Sequence, residues 1–504
     1  MAEPHLPASS NHELMALDAT DQAELIRRGS VSPTELVEAA IRRVEQVNPL
    51  LNAVISPLFE QARHAVSPDV PHGPLASVPF VLKDLGAVQR GQPYYAGNIA
   101  LKSAGLLASR DSPLVERFRS AGLVTIGKTN TPEMGAQTTT QPLAFGPTHN
   151  PWDLSRSPGG SSGGSCAAVA AHLVPIAHAN DGSGSIRIPA SWCGLVGLKP
   201  SRGRVPSEPT NISRLGVEFV VTRTVRDTAA ALDAVHGHTT GQLYPLRAPT
   251  RSYRQELGAP VGSLRIGVLA SAGPITLHRA CKAATEETAT LLDSLGHFVS
   301  PSFPIALLDA SDEKSKKDNL LRRGAYRARC HAVQTLLGRT LTAADVEPYL
   351  WSMAEWEMEL PVEHYLAAAA WQQGWATRVA SWWAEGWDLL LTPTVHEPAV
   401  RLEEMVPPFD MPSRLAEKVQ NHCFFTQPFN ITGQPAITLP LCLTDDGMPV
   451  GVQLVADLGR EDLLLRVAYQ LEQAKPWAHR RPSLSVPPTD SVLPGPAKSQ
   501  GGES

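Results

Sequence analysis

A chain of 504 residues with 42% hydrophobic content can bury a sizeable core, as roughly two to four domains or as one large α/β body. Its formal charge of −5, with no long block of Lys or Arg, leaves no electrostatic footprint for nucleic acid, so the expected partner is a small molecule. No run of about 20 apolar residues suits a membrane span, and no basic, apolar leader opens the chain; a cytoplasmic protein is expected, with homo-oligomerisation left open.

In chain order, residues 1–10 read as a disordered end. The first clear element is 32-SPTELVEAAIRRVEQVNP-49. Ser32 and Glu35 form a capping box, Pro33 takes the first helical position, Leu36, Val37, Ala40, Ile41, Val44 and Val47 recur at helical spacing, and Pro49 stops the run. Short apolar runs rich in β-branched residues predict buried strands at 77–84, 122–128, 172–179, 264–270, 388–394, 436–443 and 450–457. Helical patterns such as 111–122 and 461–474 separate most of them. The last two strands flank 444-TDDGMP-449 and read as an antiparallel hairpin. The Pro/Ser/Gly-rich 482–504 reads as a disordered tail. The fold class expected is α/β, a large mixed, mostly parallel twisted sheet covered by helices on both faces. Cys166, Cys193, Cys281, Cys330, Cys423 and Cys442 have no metal-ligand spacing, so reduced buried thiols, no metal and no cofactor are expected.

The stretch 157-SPGGSSGGSCAAVAAHLV-174 admits four readings. A Gly/Ser linker would not feed directly into an Ala/Val-rich helical pattern. A phosphate loop needs Gly-Lys-Ser/Thr, and Gly164 is followed by Ser165 and Cys166. Gly159 to Gly163 satisfies G-x-S-x-G, but that turn must follow a strand, and 147-PTHNPWDLSRSP-158 is polar and proline-broken. His178, His396 and His422 offer no clear triad partner.

The fourth reading depends on 180-NDGSGSIRIP-189, a second Gly/Ser turn placed just past a candidate strand. Glycines 182 and 184 let successive N–H groups face one concavity able to hold an oxyanion, with the Ser185 hydroxyl beside them. A serine needs a base, and Lys83 ends the apolar run 78-VPFVLKD-84, where desolvation favours the neutral amine. The plainer reading is that Lys83 pairs with Asp84.

Together Lys83 and Gly159–Pro189, with Asn150-Pro151-Trp152 and Gly194 to Pro200, resemble the amidase signature family of serine hydrolases over nearly the whole chain, least between about 300 and 385. The resemblance implies Ser185 as nucleophile, Ser161 as bridging serine after a cis peptide bond, and Lys83 as base. It also implies an oxyanion hole from the N–H groups of Gly182, Ser183, Gly184 and Ser185, with Ser162, Asp181 and Arg187 in support. Ser183 stands where many relatives have glycine, which removes no backbone donor. It implies one amidase domain over 11–481 with a variable, aromatic-rich helical region at about 300–385.

The expected activity is hydrolysis of hydrophobic or aryl amides through an acyl-enzyme, extending to carbamates and esters, without cofactor. An amidotransferase subunit acting with partner chains and a non-catalytic binding protein are the alternatives. Met134, Gly135, Ala136 and Gln137 are candidate pocket residues by the resemblance. Seven of the ten tryptophans (Trp351, Trp356, Trp371, Trp375, Trp382, Trp383, Trp387) fall in one helical segment, where core packing is favoured over pocket lining. The S-x-x-K string at Ser311–Lys314 reads as a solvated face.

Overall fold

The seven expected strands all form, and four more join them in one sheet: β1 (Val54–Pro57), β2 (Pro79–Lys83), β3 (Val124–Thr129), β4 (Ile176–Asp181), β5 (Val196–Lys199), β6 (Val217–Thr222), β7 (Arg265–Val268), β8 (Phe298–Ser300), β9 (Leu389–Pro393), β10 (Ala436–Leu443) and β11 (Pro449–Ala456). The computed structural model describes residues 11–66, 73–206, 215–242, 245–271, 273, 275–405 and 412–485. Within these the strand order is β1-β3-β2-β4-β6-β5-β10-β11-β9-β7-β8. β2, β9 and β11 are buried at every residue, as strands covered on both faces must be.

The sheet is mixed, but its parallel character is confined to two flanks, β3-β2-β4 and β9-β7-β8. β5 and β6, not expected as strands, enter the middle antiparallel, next to the expected β10-β11 hairpin, and with β1-β3 and β9-β11 the other six pairings are antiparallel. β1, β5 and β8 are three or four residues long, too short for a periodic signal.

The helices that bear on the site are α1 (Pro33–Leu51), α2 (Gly163–Ala170), α3 (Arg187–Cys193), α4 (Asp312–Leu337), α5 (Pro348–Ala354), α6 (Val362–Ala384), α7 (Pro412–His422), α8 (Gln427–Thr432) and α9 (Glu461–Ala474). The Ser32/Glu35 capping box starts α1 as expected. Pro49 does not stop it. Proline lacks the N–H that would bond the preceding turn, yet the helix runs on to Asn52, whose left-handed conformation and N–H to the Asn48 carbonyl close it. Ser311 is the N-cap of α4 and accepts the Lys314 N–H, which accounts for that S-x-x-K string.

Three apolar clusters fill the molecule. The largest packs α1, α2 and α9 on the sheet. A second joins Met134 and Ala136 to Trp192, Tyr326 and Tyr349. The third buries Trp375, Trp382 and Trp383 of α6 against Leu390, Phe425 and Phe429. Most tryptophans of 351–387 therefore pack among themselves and against the sheet; Trp351 alone of them is packed against the second cluster. All six cysteines are buried and unpaired. No helix among the described residues is long and apolar enough to cross a membrane.

The expectations for 1–10 and 486–504 lie outside the described residues. Residues 482–485 stay on the molecule: Pro482 is buried, and the Leu484 carbonyl accepts from Arg43. This carbonyl meets a guanidinium set among the buried apolar side chains of α1.

Candidate active site

β2 and β4 are parallel neighbours, so Lys83 and Asp181 emerge at the same edge of the sheet. In α/β sheets the carboxyl ends of parallel strands open onto the site. Lys83 is fully buried there. Its Nζ lies 2.7 Å from Ser161 Oγ, 2.9 Å from Ser162 Oγ and 2.7 Å from Asn180 Oδ1. Two of these partners must accept. Asn180 spends its Nδ2 on the Leu85 carbonyl at 2.9 Å, and Ser162 donates its own proton to the Asn180 carbonyl at 3.2 Å. A neutral amine satisfies both with its two N–H bonds and turns its lone pair to Ser161. Burial brings the Lys83 ammonium down from 10.5 to about 7, against the opposing pull of Glu218 and Asp181. The plain pairing with Asp84 does not occur: Asp84 faces Lys128 at 2.8 Å, both buried, because Lys128 on the neighbouring β3 reaches the same edge.

Ser161 precedes α2, and the Gly160–Ser161 peptide bond is cis. Glycine is required at 160 because a Cβ there would lie 2.8 Å from the backbone of Thr138 and Thr139. The backbones of the two serine turns meet, with Ser162 N donating to the Ser185 carbonyl at 3.3 Å. Ser185 Oγ makes no hydrogen bond to Ser161 Oγ among the described residues; such contacts often tighten only when substrate is bound.

The turn after β4 is held from beneath by Asp181. Its Oδ1 accepts the Gly184 N–H at 2.7 Å and its Oδ2 the Ile186 N–H at 3.2 Å. Of the four N–H groups expected to face an oxyanion, that of Gly184 is thus committed to Asp181. Gly182, Ser183 and Ser185 carry the turn's other donors. Gly184 itself has φ +137°, and a Cβ on it would meet Thr426 Oγ1 at 2.4 Å. Burial alone would raise the Asp181 carboxyl, but Arg187 holds it down at about 2. Arg187 is fully buried and fans out to Asp181, to the Thr426 carbonyl at 2.9 Å, to Gln453 Oε1 at 2.8 Å and to Asn430 Oδ1 at 2.6 Å.

Met134 and Ala136 are buried in the second apolar cluster, while Gly135 and Gln137 are half-buried. Gly135 lies against the Ser161 hydroxyl: a Cβ on it would stand 3.2 Å from Ser161 Oγ. Tyr326 of α4 donates to the Ala136 carbonyl at 3.4 Å and lies 3.1 Å, hydroxyl to hydroxyl, from Tyr349 of α5. The structure therefore brings together Lys83, Ser161, Ser162 and the loop at 135–136, with Asp181 and Arg187 supporting the turn that carries Ser185.

Sequence reasoning missed Asn180, although an amide closing the apolar run 172–179 is a readable signal. It also missed Thr426, whose Oγ1 donates to the Ser183 carbonyl at 2.6 Å, and Cys423, whose Sγ lies 3.7 Å from Ser183 Oγ. Both lie some 240 residues away in sequence, beyond any local pattern. His178 pairs with Glu218 at 2.8 Å and, like His396 and His422, bonds to none of the three expected catalytic side chains.

The Amidase family model matches residues 35–465. A 6-aminohexanoate-cyclic-dimer hydrolase of Paenarthrobacter ureafaciens is 45% identical over 485 residues, covering 93% of this chain and 97% of its own. An acylamidase of Rhodococcus erythropolis is 34% identical over 93% of this chain and 98% of its own. A solved 6-aminohexanoate cyclic dimer hydrolase complexed with substrate superposes with a TM-score of 0.90 at 44% identity, over 94% of this chain and 100% of that one. A bacterial aryl acylamidase of the amidase signature family gives 0.82 at 27% identity, over 95% and 99%.

Proposed function

This chain belongs to the amidase signature family and is an amide-bond hydrolase, and from that premise we propose that it works through Ser185, Ser161 and Lys83 in a single domain spanning 11–481. Neutral Lys83 takes the proton of Ser161 as Ser161 takes that of Ser185, and Ser185 Oγ attacks the amide carbonyl carbon. The N–H groups of Gly182, Ser183 and Ser185 meet the oxyanion. Collapse breaks the C–N bond, and the relay returns the proton to the leaving amine. Water then enters by the same relay, forms a second oxyanion and frees the acid. Ser162 and Asn180 keep the Lys83 lone pair on Ser161, and Asp181 with Arg187 fixes the turn.

The observation that carries this reading is Lys83: a buried amine with two obligatory acceptors, whose remaining valence points at Ser161 Oγ 2.7 Å away. For substrates we favour hydrophobic amides. The cyclic dimer of 6-aminohexanoate comes first, by likeness to the hydrolase named for it. Aryl amides follow, by likeness to the aryl acylamidase, then carbamates and esters, whose carbonyls suit the same oxyanion donors. Met134, Gly135, Ala136 and Gln137 are proposed to border the acyl group, since Gly135 abuts Ser161. The test pairs fluorophosphonate labelling, read by peptide mass spectrometry, with turnover of 6-aminohexanoate cyclic dimer, an anilide, a carbamate and an ester. An adduct at Ser185 and amide turnover are expected. An active enzyme labelled elsewhere would overturn the assignment.

A further inference from the structure

His396, Glu397 and His422 stand together beyond the serine turns, and the mechanism above uses none of them. His422 Nε2 lies 3.0 Å and His396 Nε2 3.2 Å from the same oxygen, Glu397 Oε1, and one ligand atom from each of the three residues falls within 4.8 Å of the others. Two imidazoles converge on one carboxylate oxygen, and no other side chain among the described residues bonds either Nε2, while His396 Nδ1 is buried without a partner. We propose that these three side chains form a binding site for a zinc-class divalent ion.

Zinc takes imidazole nitrogen and carboxylate oxygen at about 2.0 to 2.2 Å, which sets neighbouring ligand atoms roughly 3.3 Å apart in a tetrahedron. The two Nε2–Oε1 separations are already close to that. His422 is oriented as a ligand should be, its Nδ1 held at 2.8 Å by Thr138 Oγ1 and its ring nearly perpendicular to that of Trp192, centroids 5.1 Å apart. The Glu397 side chain is 37% exposed and gives the ion a way in from solvent, which would supply a fourth ligand. Binding replaces any proton on the two Nε2 atoms, which passes to solvent. The sequence offers no cue, because an adjacent His-Glu pair and a histidine 25 residues on match no compact ligand spacing.

The site is linked to the serine turns at two points. Thr138, which bonds His422, packs its backbone against Gly160. Cys423, next in the chain, touches Ser183. Zinc is therefore expected to lower turnover, a consequence that rests on the catalytic reading above; the binding itself does not.

The experiment uses the full-length protein stripped with a chelator, titrated with Zn²⁺ by calorimetry and with Co²⁺ by visible absorption. One ion per chain and the bands of four-coordinate Co²⁺ are expected. His396→Ala and the near-isosteric Glu397→Gln should each weaken binding by at least about 10-fold, the lower end of what losing even an outer-shell partner costs. Absence of binding, or binding that both variants retain unchanged, overturns the site. Ligation with unaltered turnover overturns only the link to the serine turns.

Discussion

In its proposed role as base Lys83 can act only while neutral, which ties its environment to the pH dependence expected of the reaction. With the ammonium brought down to about 7, kcat/KM should rise as pH increases through that value and level off above it. A pH profile of amide hydrolysis checks this; a flat profile between pH 6 and 8 would count against a titrating Lys83. Lys83→Ala should lower kcat by about 10²- to 10⁴-fold, the usual worth of a general base, without a comparable rise in KM. Asn180 offers a sharper test because it changes the pKa and leaves the base in place. Asn180→Asp sets a carboxylate where the amide oxygen now sits 2.7 Å from Nζ. An opposite charge at that range favours the ammonium, so the limb should move to higher pH by about 1 to 3 units. An unmoved limb would remove Asn180 from the environment that tunes Lys83.

At the level of elements, the turn after β4 is a clamp. Arg187 at the start of α3 bonds Asp181 at the end of β4, Asn430 in α8, the Thr426 carbonyl before α8 and Gln453 in β11. Removing one member of a buried pair strands the other, which costs about 3 to 5 kcal/mol. Arg187→Met should lower the unfolding free energy by that amount, measured by urea denaturation, and a loss below about 1 kcal/mol would show that Asp181 finds another cation. The elements carrying the proposed triad were legible because each has a strong local cause: an apolar run ending in lysine for β2, a glycine-serine turn before a helix for Ser161, a second such turn after a strand for Ser185. β6 was missed despite Phe219 and its valines, and β5 was read only as part of a family motif. Those two omissions made the expected sheet more parallel than it is.

For the whole molecule, what stayed illegible is what arises only when distant segments meet. Asn180 facing Lys83, Thr426 holding the Ser183 carbonyl and Tyr326 reaching Ala136 are contacts across 97, 243 and 190 residues. No periodicity encodes them. The same long reach bears on stability. Lys83, Asp181, Arg187, Thr426, Asn430 and Gln453 are all at most 1% exposed, and they span three strands and the segments packed on them. Regions that open locally are marked by few buried contacts and exposed backbone bonds, and this group has neither mark. The active geometry should therefore persist until the sheet itself gives way. In a urea titration at equilibrium, loss of amide hydrolysis and loss of far-ultraviolet circular dichroism should share one midpoint. Inactivation at clearly lower urea, with the dichroism intact, would mean that the two serine turns separate before the sheet does, and that the Asp181–Arg187 clamp is weaker than its burial implies.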